Sequence, residues 1–116
     1  MILESTLFTA LQGLVDGRVF PDVADEGTPA PYITYQTAGG SAVNFVEGTA
    51  PGTRNARLQV NVWSHTRLEA SSIGNAAEDI LRGLTALQTT VLGAAVSEFE
   101  PDTGLRGQRQ EFSVWY

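Results

Sequence analysis

Residues 54–64 constrain this chain more than any other segment. Leu58, Val60 and Val62 alternate with Arg57, Gln59, Asn61 and Trp63, which is the period of a strand with one apolar and one polar face. The C-terminus repeats the pattern over about 106–116. There Phe112, Val114 and Tyr116 alternate with Arg109, Glu111, Ser113 and Trp115. If these two strands share a sheet, one face is apolar and needs a cover. The other presents Arg57, Trp63, Arg109 and Trp115.

The cover comes from two helical segments. Leu3, Leu7, Leu11, Leu14 and Val15 recur at three- and four-residue spacing, with Phe8 widening the stripe and Gly17 placed to stop the helix. Immediately after the 54–64 strand, Thr66 and Glu69 form the T-x-x-E of a capping box. Leu68, Ile73, Ala76, Ala77, Ile80, Leu81 and Leu84 then follow, giving a helix over about 66–84 whose alanines favour close packing on a sheet. Residues 18–20 are a short extended piece limited by Pro21, and 21–31 are a loop by composition. Tyr32–Thr37 is a strand rich in β-branched and aromatic residues. Thr89–Leu92 and Ala94–Phe99 supply a further strand before the Pro101–Gly104 turn. The expected fold is α+β, a single domain over 1–116. Its mostly antiparallel sheet of about four strands carries two helices packed on one face.

Residues 38–53 (AGGSAVNFVEGTAPGT) hold four Gly, one Pro and only three large apolar residues. A loop of that length in a small domain tends to be functional or to order on binding.

Composition removes many mechanisms. All 7 basic residues are Arg, there is one His, and there is no Cys. Without Lys there is no P-loop lysine or Schiff base, and without Cys no disulfide, thiol nucleophile or cysteine metal site. A net charge of −6 argues against non-specific affinity for nucleic acid or anionic membrane. The first residues carry no basic segment of a secretory signal, and no apolar run reaches the ~18 residues of a membrane span. The chain is therefore expected to be made in the cytoplasm.

Candidate chemistry is sparse. Ser64 or Ser41 with His65 is a formal nucleophile–base pair, but no G-x-S-x-G elbow supports it. Glu98, Glu100 and Asp102 alternate and could share one strand face as a Ca²⁺ or Mg²⁺ site, or form a solvated acidic edge that discourages aggregation. Asp25–Glu26 and Glu78–Asp79 are neighbours in sequence, a poor spacing for acid/base pairing. Gly39–Gly40 matches no nucleotide fingerprint. No catalytic residue, metal site or cofactor is assigned. Arg and Trp on an open sheet face suit contact with another protein, although each Trp could instead cover the sheet rim or pack under the 38–53 loop. The interface candidates are Arg57, Trp63, Arg109 and Trp115, with Asn44, Phe45 and Arg54 from the long loop and its end.

Four segments in order also resemble a known family. They are Pro31-Tyr32-Ile33-Thr34-Tyr35-Gln36, then Arg57-Leu58-Gln59-Val60-Asn61-Val62-Trp63, then the Ala-rich helix ending Ile80-Leu81-Arg82-Gly83-Leu84, and last Arg109-Gln110-Glu111-Phe112-Ser113-Val114-Trp115-Tyr116. Together they are similar to the tail completion, or tail terminator, proteins of long-tailed bacteriophages and prophages. The resemblance implies a non-enzymatic virion protein that forms a ring, usually a hexamer, on the head-proximal end of the tail tube. The ring stops tube polymerisation and presents a surface to the head-connector proteins, and DNA passes its lumen without specific binding. The implied partners are further copies of the chain, the tail tube protein and neck proteins, with no membrane. Loops between strands touch the tube or a neighbouring subunit, which here means residues 38–53. Acidic lumen walls would suit sliding DNA, and plain solubility explains the same charge. The competing expectations are another neck component, such as an adaptor or stopper, and a small ligand-binding domain or enzyme using His65.

Overall fold

The computed structural model describes residues 3–42, 44, 48 and 52–116. In chain order these form helix α1 (Leu3–Leu11), a 3₁₀ turn (Gln12–Leu14), β1 (Val19–Pro21), β2 (Tyr32–Thr37), β3 (Asn55–Ser64), helix α2 (Arg67–Gly83), β4 (Gln88–Val91), β5 (Val96–Glu100) and β6 (Leu105–Trp115). The sheet runs β1-β2-β3-β6-β4, with β5 also on β6. It is mixed, because β1 lies parallel to β2 while every other pairing is antiparallel. The expected antiparallel arrangement of about four strands is thus correct for β2, β3 and β6; the short extended piece expected at 18–20 becomes the edge strand β1, whose parallel pairing with β2 three residues could not signal.

β4 and β5 explain the rest of the difference in strand count. Both pair with β6, Val91 opposite Phe112 and Val96 opposite Arg109. Four residues on this side therefore span two on β6, a two-residue bulge at Leu92–Ala95 that splits one long strand in two. Because the insertion is even, each side chain keeps its face across the break. Leu92 N–H still donates to the Glu111 carbonyl.

The core lies between the helices and one sheet face. Leu3, Leu7, Leu11 and Val15 meet Ile33, Leu58, Val60, Val62, Phe112 and Val114, all buried. Alternation along β3 and β6 dictates this: every second residue from Ala56 to Ser64 and from Gln108 to Val114 points under the helices. α1 ends at Leu11, earlier than the stop expected at Gly17, and passes into the 3₁₀ turn; Asp16 and Gly17, both at positive φ, then turn the chain toward β1. Phe8, expected in the apolar stripe, is 41% exposed at its rim.

Helix α2 starts at its cap, where the Thr66 hydroxyl accepts from Glu69 N–H at 3.1 Å. The Glu69 carboxylate does not close the capping box. It accepts instead from the buried hydroxyl of Ser64. The buried stripe of α2 is Ala70, Gly74, Ala77 and Leu81, and Leu68 stands 82% exposed in the first turn. Small residues bring the helix close to the sheet. A Cβ on Gly74 would sit 2.3 Å from Gln108 Nε2, so only glycine lets this glutamine lie beneath the helix. Gln110 completes a polar seam there, donating to Glu78 at 2.6 Å and to the Gly93 carbonyl at 3.0 Å.

Candidate functional site

The face of the sheet opposite the helices carries the sequence candidates in the order that register imposes. Asn55 faces Trp115, Arg57 faces Ser113, Gln59 faces Glu111, Asn61 faces Arg109 and Trp63 faces Gly107. Two tryptophans thus mark the ends of the face, and two arginines lie between them. Neither arginine is left without an acid. Arg57 donates to Glu111 through Nε at 2.9 Å and Nη2 at 2.5 Å, and Arg109 pairs with Glu98 at 2.9 Å. Gln36 and Gln59 bond each other at 2.9 Å, and Asn55 donates to Ser113 at 2.9 Å. The face is a lattice of cross-strand polar pairs.

Trp63 has a specific seat. A Cβ on Gly107 would meet its ring carbons at 2.7 and 2.9 Å. The indole therefore lies over the glycine and covers the backbone the missing side chain exposes. Beside it the 22–30 loop folds over the sheet and closes a cleft of about 730 Å³. Tyr32 and Trp63 line it from the sheet, and Asp22, Asp25, Glu26 and Glu100 are among its other lining residues. The loop also covers Thr34, which is buried although it points away from the helices. Burial and then the nearby Glu100 charge raise the Tyr32 hydroxyl above its ordinary pKa.

The 38–53 segment is anchored at its ends. Ala38 N–H donates to the Arg57 carbonyl and Arg57 N–H to Gly39, while Ser41 N–H donates to the Asn55 side chain at 2.8 Å. Gly40 is required at this approach, because a Cβ there would sit 2.5 Å from the Asn55 carbonyl oxygen at a φ of +146°. Arg54 continues the strand by a reciprocal backbone pair with Tyr116. Asn44 is exposed, and Phe45 lies outside the described residues. The candidates therefore do not converge on one point. Arg54, Arg57 and Trp115 lie at one end of β3, Trp63 at the other, and Arg109 between.

The chemical alternatives separate in space. Ser64 is buried and bonded to Glu69, whereas the neighbouring His65 is exposed and lines the cleft. Ser41 is tied to Asn55. Glu98 is held by Arg109, and Glu100 accepts from Asp102 N–H at 3.0 Å within the turn. Among the described residues, no group of three or more His, Asp or Glu is placed to hold a metal ion. Glu78 sits on α2 with Gln110 and Arg82, whose hydrogen bonds hold its carboxyl below the usual range. What sequence reasoning missed is the acid partner of each face arginine and the 22–30 wall of the cleft.

Comparison with known proteins gives the class first. A chain from the virion of a native gene transfer agent particle is similar over 97% of this chain and 92% of that one, at 16% identity and a TM-score of 0.60. At that identity the likeness speaks for a shared fold. The family model described as tail completion protein gp17 matches residues 7–116. The chain belongs to this tail completion family and is a structural protein of the tail. Among curated proteins no significant match is found.

Proposed function

We propose that this protein completes the phage tail by capping the tail tube as a homomeric ring, a hexamer by the family resemblance. In that reading the ring stops tube polymerisation, joins the tail to the head connector and lets DNA pass. The whole 1–116 chain acts as one domain whose work is assembly rather than catalysis. The observation that carries this is the family match over residues 7–116, and the open face adds to it: Arg and Trp side chains, enriched at interfaces, set on a rigid sheet. Arg57, Trp63, Arg109, Trp115, Asn44, Phe45 and Arg54 are the proposed contact residues. Electron microscopy of tail tubes assembled with and without the protein tests it. Tubes of uniform, capped length are expected with it, and tubes of uncontrolled length at saturating protein would refute it. Binding to portal-side proteins instead of the tube would favour an adaptor or stopper.

A further inference from the structure

The cleft beside Trp63 and the arginine at the far end of the same strand are complementary. Asp22, Asp25, Glu26 and Glu100 line the cleft together with Tyr32 and Trp63, and none of the seven arginines does. Carboxylates beside aromatic faces suit a guanidinium, which can stack on an indole while its N–H groups reach the acids.

The chain's own arginines are mostly engaged. Arg18 donates to the Pro31 carbonyl, and Arg57, Arg82 and Arg109 pair with carboxylates. Arg67 donates to the Gly107 and Glu98 carbonyls, and Arg106 lies 4.3 Å over the Phe99 ring. Arg54 is exposed, and no carboxylate among the described residues pairs with it. It precedes β3, whereas Trp63 lies near the end of that ten-residue strand. At ~3.3 Å per residue the two are about 30 Å apart, so they cannot meet within one molecule.

We infer that the cleft between the 22–30 loop and Trp63 is the docking site for Arg54 of a second copy of this chain. The contact is heterologous, one end of the sheet on the opposite end of the next, the type that closes into a ring when the rotation allows. It rests on the reading above that the protein acts as an assembly of copies. With a net charge of −6 the copies repel at long range, so association depends on this local complementarity and weakens with salt.

Cysteine cross-linking tests it cleanly, because the chain has no thiol of its own. Thr53→Cys places a thiol beside an intact Arg54, and Thr103→Cys places one on the cleft. The two positions lie at opposite ends of β6, far beyond the ~7 Å Cα separation that a disulfide tolerates, so any bond between them joins two molecules. Oxidation of the Thr53→Cys/Thr103→Cys variant, free at high concentration and on tail tubes, is expected to give a ladder of covalent multimers. Each single variant gives no covalent multimers. Adding Arg54→Glu to the double variant lowers the yield at least tenfold. Absence of a ladder in both settings, dimers from a single variant, or a ladder indifferent to Arg54→Glu would overturn the inference. Tube length is scored in the same samples. Capped tubes without a ladder refute this contact and leave tail completion standing. A ladder on uncapped tubes refutes tail completion and supports the contact.

Discussion

The two faces of the sheet obey one alternation and are held in opposite ways. Under the helices, Leu58, Val60, Val62, Phe112 and Val114 are all at most 3% exposed, and their stabilisation is removal of apolar surface from water. On the open face, the same strands are linked by ion pairs and amide bonds that water can replace. One face therefore holds the fold, and the other is free to carry contacts. A substitution should reveal which face it belongs to by what it damages.

The largest effect is expected at the centre of the helix side. Phe112→Ala opens a cavity in a fully buried position and should cost about 3–5 kcal/mol, a large share of the stability of a small domain. Urea unfolding would measure it. A loss near that of an open-face truncation would break the contrast between the faces.

Gly107→Ala comes next, because it strikes a place where the open face is packed as tightly as the core. The new methyl would meet the Trp63 ring at 2.7 Å, and a forced contact of this kind costs about 1–3 kcal/mol. Near-UV circular dichroism should show the displaced indole. An unchanged tryptophan signal with unchanged stability would mean that Trp63 is not seated there.

A smaller change runs the other way. Thr89 Oγ1 is buried with no hydrogen-bond partner, and its residue points to the helix side opposite Val114. Thr89→Val keeps the shape and removes the orphaned hydroxyl, so stability should rise by about 1 kcal/mol. A lower thermal midpoint would show that the hydroxyl has a partner in solution.

Acid probes the seam between helix and sheet. The Gln110 hydrogen bond, and then Arg82, hold the Glu78 carboxyl below its ordinary value of 4.5. A lowered pKa contributes stability that is fully present above that value and is lost as pH falls through the lower folded one. The wild-type advantage over Glu78→Gln should therefore be constant from pH 7 to about 5 and shrink below 4.5. An advantage that grows in acid would contradict the assignment.

How much of this was legible follows from range. Leu58, Val60 and Val62 announced their strand because period two is written in adjacent residues, and Thr66 announced α2 because a cap acts over three. Leu68 misled because a large residue draws the eye where the buried stripe is Ala70, Gly74 and Ala77, chosen for closeness rather than bulk. The partners of Arg57 and Arg109 depend on the pairing register of strands, with Arg57 and Glu111 54 residues apart in the chain and Glu98 reached across a bulge, which periodicity does not encode. The loop over Trp63 was visible as a loop, but its direction is set by tertiary packing alone.

The smallest expected effect is the sharpest test of the comparison. Arg57 and Glu111 form a well-aligned pair, yet their side chains are 53% and 35% exposed. An ion pair in that setting gains little over hydration and is screened by salt. Arg57→Ala, Glu111→Ala and the double variant should give a coupling energy below about 1 kcal/mol, decreasing in high salt. Their effect on tail-tube capping, measured on the same proteins, should exceed their effect on melting. A coupling of several kcal/mol that ignores salt would make the open face a second source of fold stability, and the division of labour between the two faces would fall.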